Sequence, residues 1–233
     1  MPLSVLKNMT PQPCVERALQ NYRTLSTNYD ATCTRIEALR IATVRELKLR
    51  LGETVFEIAC GTGSVLPLLA REVGPSGRVV GVELSPEMAT LARQRVCAMV
   101  DGNHVSVVAT TMADFRPYLK ADALLLCYAH DVLQSEASVS RLIAVAKPGA
   151  RIALVGMQTL PWPWGWPVNI FNLYRARRYL TTYANLDRPW RLLTVRGASL
   201  RVVRTALWGS AYVVVGTFPA RSTLGGQTGS CQP

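Results

Sequence analysis

The chain has 233 residues, 49% hydrophobic and 18% charged, the balance of a single globular domain with a full core and an apolar binding surface. No apolar stretch reaches the ~18 residues that span a bilayer, and the start Met1-Pro2-Leu3-Ser4-Val5-Leu6-Lys7 lacks the apolar core of a signal peptide. The net charge of +11 (26 basic minus 15 acidic residues) admits an acidic partner, but no nucleic-acid module accompanies it, so nucleic acid is not expected.

Residues 1–13 carry three prolines and no periodicity. From 14 to 50 the pattern is that of a helical cap: Val15, Leu19 and Tyr22 share one face, as do Ile36, Leu39, Val44 and Leu47, with a break at Ser26-Thr27-Asn28-Tyr29-Asp30. Residues 51–157 alternate strand and helix. Strands are predicted at 54–59, 78–83, 104–109, 122–127 and 151–156, with helices at 63–73, 86–100 and 136–146. Turns fall at Pro75-Ser76-Gly77 and Lys147-Pro148-Gly149-Ala150. Residues 158–191 form an insertion rich in Trp, Tyr and Arg. Two final strands, 200–207 and 211–218, lie within 192–219 and flank a hairpin turn at Gly209-Ser210. The turn-rich segment 220–233 reads as a disordered tail. This order predicts an α/β, Rossmann-like, doubly wound sheet of seven mostly parallel strands, ending in an antiparallel hairpin. Six cysteines at 14, 33, 60, 97, 127 and 231 form no C-x-x-C pair and no metal spacing with His. They read as small core residues in a reducing cytoplasm, and no metal is expected.

The densest signal is Val55-Phe56-Glu57-Ile58-Ala59-Cys60-Gly61-Thr62-Gly63, a buried strand running into a glycine loop and then a helix. Twenty residues after Gly63, the strand Arg78-Val79-Val80-Gly81-Val82 ends in Glu83, placed to accept hydrogen bonds from both hydroxyls of a ribose. A dinucleotide loop needs a third glycine where Leu66 stands. Glu57, four residues before Gly61, would repel a pyrophosphate and suits a ligand with an amino group and a sulfonium. S-adenosylmethionine (SAM) has both, with a ribose and no phosphate.

These residues, with Glu83-Leu84-Ser85-Pro86-Glu87-Met88, resemble the first and second motifs of the class I SAM-dependent methyltransferases. The resemblance covers residues 40–157 well, and within the family is strongest to bacterial quinone- and lipid-methylating members. It implies a SAM site in which Gly61, Gly63, Ala59 and Cys60 approach the methionine part. Glu57 faces the amino group or organises the loop, and Glu83 takes the ribose. Leu84 and Met88 pack near the adenine; core packing is the other reading of Met88. The family's adenine-contacting acid is replaced by Thr111, and Met112 is placed to stack on the ring. Tyr128 stands on the sulfonium side. Tyr29-Asp30 matches an element that lies over the cofactor.

Chemistry on the acceptor points to His130, which follows the fourth strand and titrates near neutral pH, aided by Asp131, Tyr22 or Tyr29. Helix packing or capping is the plain alternative for each. Trp162, Trp164 and Trp166, three indoles in five residues, are expected to line an acceptor pocket, to plug the domain's own core, or to meet a membrane interface beside the arginines. The expected activity is methyl transfer to a small, largely apolar, aromatic or quinone-like acceptor in the cytoplasm. A lipid head-group N-methyltransferase peripheral to the membrane and a SAM-binding protein without catalysis are the alternatives. An oligomer is open.

Overall fold

The computed structural model describes residues 12–25 and 29–220; the expected break residues Ser26, Thr27 and Asn28 and nearly all of the expected tail lie outside them. Two helices come first, α1 (Val15–Leu25) and α2 (Tyr29–Glu46). The core follows as β1 (Thr54–Ile58), α3 (Leu66–Val73), β2 (Arg78–Glu83), α4 (Pro86–Cys97), β3 (Val105–Ala109) and β4 (Ala121–Cys127). Then come α5 (His130–Leu133), α6 (Glu136–Val145), β5 (Ala146–Met157), α7 (Trp166–Ala176) and α8 (Arg191–Val195), and last the hairpin β6 (Ser199–Ala206) and β7 (Ala211–Thr217).

The strands form one seven-stranded sheet in the order β3-β2-β1-β4-β5-β7-β6. β1 pairs in parallel with β2 and β4, and β7 runs antiparallel to both β5 and β6. This is the expected Rossmann-like architecture. The strand order reverses between β1 and β4, where crossovers to opposite faces leave a crevice at the carboxyl ends. β1 is buried from Val55 to Ile58 because helices cover both faces. Alternation sends Phe56 and Ile58 into one apolar cluster and Val55 into the other. Glu57 therefore shares the face of Val55, under α2 and α3.

Local chemistry sets the helix starts. Ser85 caps α4 by accepting from the Met88 amide, with Pro86 in the first turn, and Ser135 caps α6 through the Ser138 amide. Two departures from the sequence reading matter. Lys147-Pro148-Gly149-Ala150, expected as a turn, belongs to a long β5 whose register with β4 shifts between Ala121 and Ala123. The insertion, for which the sequence reading gives no helix, contains α7, with Pro167 in the first turn, where it needs no amide partner. Leu173 packs with the buried Ala176, Leu180 and Leu186 in a small satellite core.

One polar node ties the segments around the crevice. The Asp131 carboxylate accepts from the Thr181 amide (3.0 Å) and hydroxyl (2.6 Å), while the Cys14 amide donates to the same hydroxyl oxygen (2.9 Å). Gln134 donates to the Pro189 carbonyl and accepts from Asn185. The start of the cap, the insertion and the end of β4 thus meet at one place.

Candidate active site

The backbone is strained where the strand order reverses. Ala59 (φ 56°), just after β1, and Tyr128 (φ 58°), just after β4, are both left-handed, a conformation that costs a residue with a Cβ about 1 kcal/mol or more. Gly61 (φ 58°) and Gly63 (φ 72°) continue the turn at little cost. A Cβ on Gly63 would lie 2.8 Å from Leu66 Cδ1 and 3.1 Å from Ala92 Cβ, so this glycine lets the loop seat against α3 and α4.

A cleft opens at this point, at the carboxyl ends of the strands, where doubly wound sheets bind their ligands. Its floor is Ala59, Gly61, Glu83, Leu84 and Met88 from the first two strand ends and α4. One wall is Cys127, Tyr128, Ala129, His130, Asp131 and Val132 after β4. The other walls are Ala18, Tyr22 and Tyr29 from the cap, and Tyr179 and Leu180 from the insertion.

Glu83 is buried, and its two oxygens accept from the Gly61 amide (2.8 Å) and the Ser85 amide (2.9 Å). Burial raises its pKa and these amides oppose the rise. A carboxylate has about four lone-pair sites, so acceptor capacity remains on a group that lines the cleft. Glu57 is buried with Oε2 unpartnered. Burial pushes it up to about 8, despite the opposing charge of Arg40 and helped by Glu83. Arg40, on α2, is itself buried; it donates to Ser64 Oγ (3.2 Å) and Cys33 Sγ (3.7 Å), and its Nε has no partner. It lies 5.9 Å from the Tyr128 ring centre, and the Tyr128 hydroxyl is also buried and unpartnered. A buried carboxyl, a guanidinium and a phenol, each with an orphaned atom, match a ligand end that carries both an amine and a carboxylate. With Glu83 facing a diol, the donor set fits SAM.

Across the cleft, both ring nitrogens of His130 are buried without a hydrogen-bond partner. Burial lowers its pKa to about 4, and the nearby Ala184 backbone offsets only part of this. The ring is neutral at neutral pH. Three phenols line the same cleft. Tyr22 and Tyr29 meet edge-on at 6.3 Å, and Tyr29 and Tyr179 at 6.2 Å. Burial raises Tyr22 and Tyr29 well above the ordinary phenol, so both stay protonated donors.

The structure brings together Glu83, Leu84, Met88, Ala59, Gly61, Tyr128, His130, Asp131, Tyr22 and Tyr29 as cleft residues. Others stand elsewhere. Cys60 is buried behind the loop, its thiol pushed well up by burial, so no thiolate is available. Thr111 accepts from the Asp114 amide and donates to its carboxylate (2.6 Å), closing a turn after β3 rather than lining the cleft. Met112, expected against the adenine, is buried in the core cluster with Phe56 and Phe115, because its position after β3 turns it under the sheet. Asp131 is committed to Thr181 rather than free. Trp162, Trp164 and Trp166 do not line the cleft; they are exposed on the surface, where the prolines between them keep that stretch from folding back on the core. Arg40 and Tyr179 were not singled out from sequence. Arg40 continues the helical stripe Cys33, Val44 and Leu47, and a charge on a buried stripe is the signal that marks it.

Residues 55–149 match a family model described as a methyltransferase domain. A 2-phytyl-1,4-naphtoquinone methyltransferase of Trichormus variabilis is 33% identical over 107 residues, 45% of this chain and 46% of the relative. The chain spans less than half the length of the curated relatives it matches. Among solved structures, a SAM-dependent methyltransferase from Aquifex aeolicus superposes with a TM-score of 0.58 at 21% identity, covering 77% of this chain and 89% of its own. A complex of DhpI with S-adenosylhomocysteine (SAH) gives 0.60 at 18% identity, covering 89% and 98%.

Proposed function

We propose that this chain is a class I SAM-dependent methyltransferase and that it methylates a small, largely apolar acceptor, of aromatic or quinone-like type, held between the cap and the insertion. The observation that carries the reading is one cleft lined by Glu83 and also by a neutral, buried His130, by Tyr22, Tyr29 and Tyr179, and by the apolar Ala18, Val132 and Leu180. The naphthoquinone methyltransferase relative supports the aromatic acceptor class.

When bound, SAM supplies a methyl group activated by a sulfonium. Glu83 would hold the ribose diol, Ala59 and Gly61 offer main-chain contacts, and Glu57, Arg40 and Tyr128 take the amino-acid end. The strained loop ends hold these groups in place before ligand arrives. His130 accepts the proton of an acceptor hydroxyl, or a hydrogen bond from it; staying neutral keeps its lone pair available. The tyrosine hydroxyls orient the acceptor, and the apolar side chains exclude water. Asp131 positions the insertion through Thr181 instead of exchanging protons.

The test is SAH formation with a panel of dihydroxynaphthalenes, phenols and aliphatic amines. Turnover confined to the hydroxylated aromatics and lost in His130→Ala supports the proposal. Turnover of the amines alone counts against it.

A further inference from the structure

The surface beside the cleft carries an aromatic face that the proposed chemistry does not use. On α7, Trp166, Ile170 and Tyr174 recur every four residues and are exposed, with Phe171 beside them. Leu173 and Ala176 point the other way, into the satellite core. The preceding loop presents Trp164, 91% exposed, and Trp162. Asn169 fastens that loop by two hydrogen bonds to the Leu160 backbone, 2.8 and 2.9 Å.

The β6–β7 turn belongs to the same region. Gln158 donates its amide to Ser210 O and its side chain to Gly209 O, and a Cβ on Gly209 would lie 3.2 Å from Leu160. This turn exposes Trp208 (91%) and Leu207. Both are left-handed, at φ 61° and 50°, where a tight turn is usually served by Asn or Gly. Two large apolar residues thus occupy a strained turn with no core to fill. Four of the chain's five tryptophans lie on this face.

The part of the chain that forms it is predominantly basic. Residues 158–217 contain eight arginines and one acid, Asp187, and so supply seven (8 − 1) of the eleven net positive charges. Arg175, Arg177 and Arg178, on and just after α7, are exposed. Arg175 stacks over Phe171 (5.7 Å) and Arg177 over Tyr174 (3.6 Å), and none of the three pairs with an acid among the described residues. Solvent-facing indoles ringed by unpaired guanidiniums match the boundary between headgroups and acyl chains of an anionic bilayer. A protein partner of ordinary composition would more often present apolar area without a uniform acidic rim.

We propose that α7, the Trp162–Trp166 loop and the β6–β7 turn form a docking surface for anionic lipid bilayers. No described helix is long and apolar enough to cross a membrane, so contact is peripheral. Tyr179 and Leu180, directly after Arg178, line the cleft, so docking brings its mouth close to the lipid.

The full chain is sedimented with phosphatidylcholine vesicles and with vesicles containing about 30% phosphatidylglycerol, at low and high salt. Binding to the anionic vesicles only, weakened by salt and accompanied by a blue shift of tryptophan emission, is expected. Arg175→Gln with Arg178→Gln should weaken it roughly thirtyfold, at about a fivefold loss per arginine. Trp164→Ala with Trp208→Ala should weaken binding and diminish the blue shift that Trp162 and Trp166 still report; all four side chains are exposed, and thermal unfolding reports folding in each variant. No vesicle binding, equal binding to neutral vesicles, or unchanged binding by both variants overturns the proposal. So does self-association in the ultracentrifuge that the tryptophan variant removes without any vesicle binding, which would make the face a contact between copies of this chain. Vesicle binding is read without turnover, so it stands or falls apart from the methyl-transfer reading.

Discussion

Glu83→Ala tests the centre of the site, because one carboxylate has two separable duties. It pins the Gly61 and Ser85 amides at 2.8 and 2.9 Å, and it faces the cleft with acceptor capacity to spare. Loss of the side chain leaves two buried amides to find water, at about 1–3 kcal/mol each. Relief of the buried charge, whose pKa is raised by desolvation, returns part of that. A net loss of about 3 kcal/mol corresponds to a fall in Tm of roughly 6–12 °C for a domain of this size. The second duty is separate: two diol hydroxyls donating to a carboxylate contribute about 1.5–3 kcal/mol each, so SAH affinity should fall at least about 100-fold. Calorimetric titration with SAH, run well below the lowered Tm, reads the second effect; thermal unfolding without ligand reads the first. Glu83→Gln keeps one carbonyl acceptor but turns an NH₂ toward an amide donor, so it should resemble Ala in affinity more than wild type. SAH affinity within about threefold of wild type in Glu83→Ala, with the protein folded, would refute the assignment of Glu83 to the ribose.

His130→Ala should lower kcat about 100-fold or more while leaving SAH affinity within about threefold, as measured by SAH release and titration; equal losses in both would make His130 a packing residue. His130 also shapes stability. The unfolded chain takes up a proton near 6.5 and the folded chain only near 4. Stability is therefore lost as pH falls from 6.5 through 4, by about 3 kcal/mol at the limit, and urea titrations of wild type and His130→Phe should diverge in that window alone. Glu57 carries the opposite sign: its ordinary value is 4.5 and its folded value about 8, so it costs stability progressively as pH rises from 4.5 to 8. Glu57→Gln should stabilise the ligand-free protein above pH 8 by a few kcal/mol, yet weaken SAM binding and abolish the proton released on binding between pH 6 and 8; a variant weaker in unfolding assays at pH 9 would sink this account. Thr181→Val removes one hydrogen bond to Asp131 and the acceptor for the Cys14 amide. Proteolysis of the N-terminal helices should quicken, by a factor of about ten, with cofactor affinity changed less than acceptor KM.

The strands and the glycine loop were legible in the sequence because their causes are local. β1 is an apolar run that meets two glycines, and the Pro86–Met88 segment carries its own cap in Ser85. Glu57 and Glu83 were legible for the same reason: a strand end and a fixed spacing place them. The misreadings came where long-range contact decides. Lys147-Pro148-Gly149 has turn composition but is drawn into β5, where the Gly149 amide donates to the Pro219 carbonyl. Met112 reads as a ring-stacking residue, and only the β3–β4 connection settles that it packs in the core cluster with Phe56. Of the three readings of the indoles, pocket lining and core plug follow from the cost of exposing Trp, yet no described segment covers them. Arg40 was hidden by its type: a basic residue in a helix is usually solvated, and it took tertiary packing of α2 on β1 to bury it beside Glu57.

The cleft divides along the chain in a way that bears on specificity. Of the residues placed toward SAM, Glu57, Glu83, Met88 and Tyr128 lie inside the 55–149 segment that matches the methyltransferase domain, and Arg40 lies outside it. The cap and insertion residues that line the same cleft, Ala18, Tyr22, Tyr29, Tyr179 and Leu180, all lie outside it. His130 follows the core strand β4 and lines the cleft with them. On the proposed reading, donor binding rests mainly on strand-end geometry that many chains can share. The acceptor side would rest on two segments joined by Asp131, Thr181 and Cys14 and by the edge-on contact of Tyr29 with Tyr179. Substitutions at that joint should therefore alter which acceptor is used, while those in the glycine loop should weaken every acceptor alike.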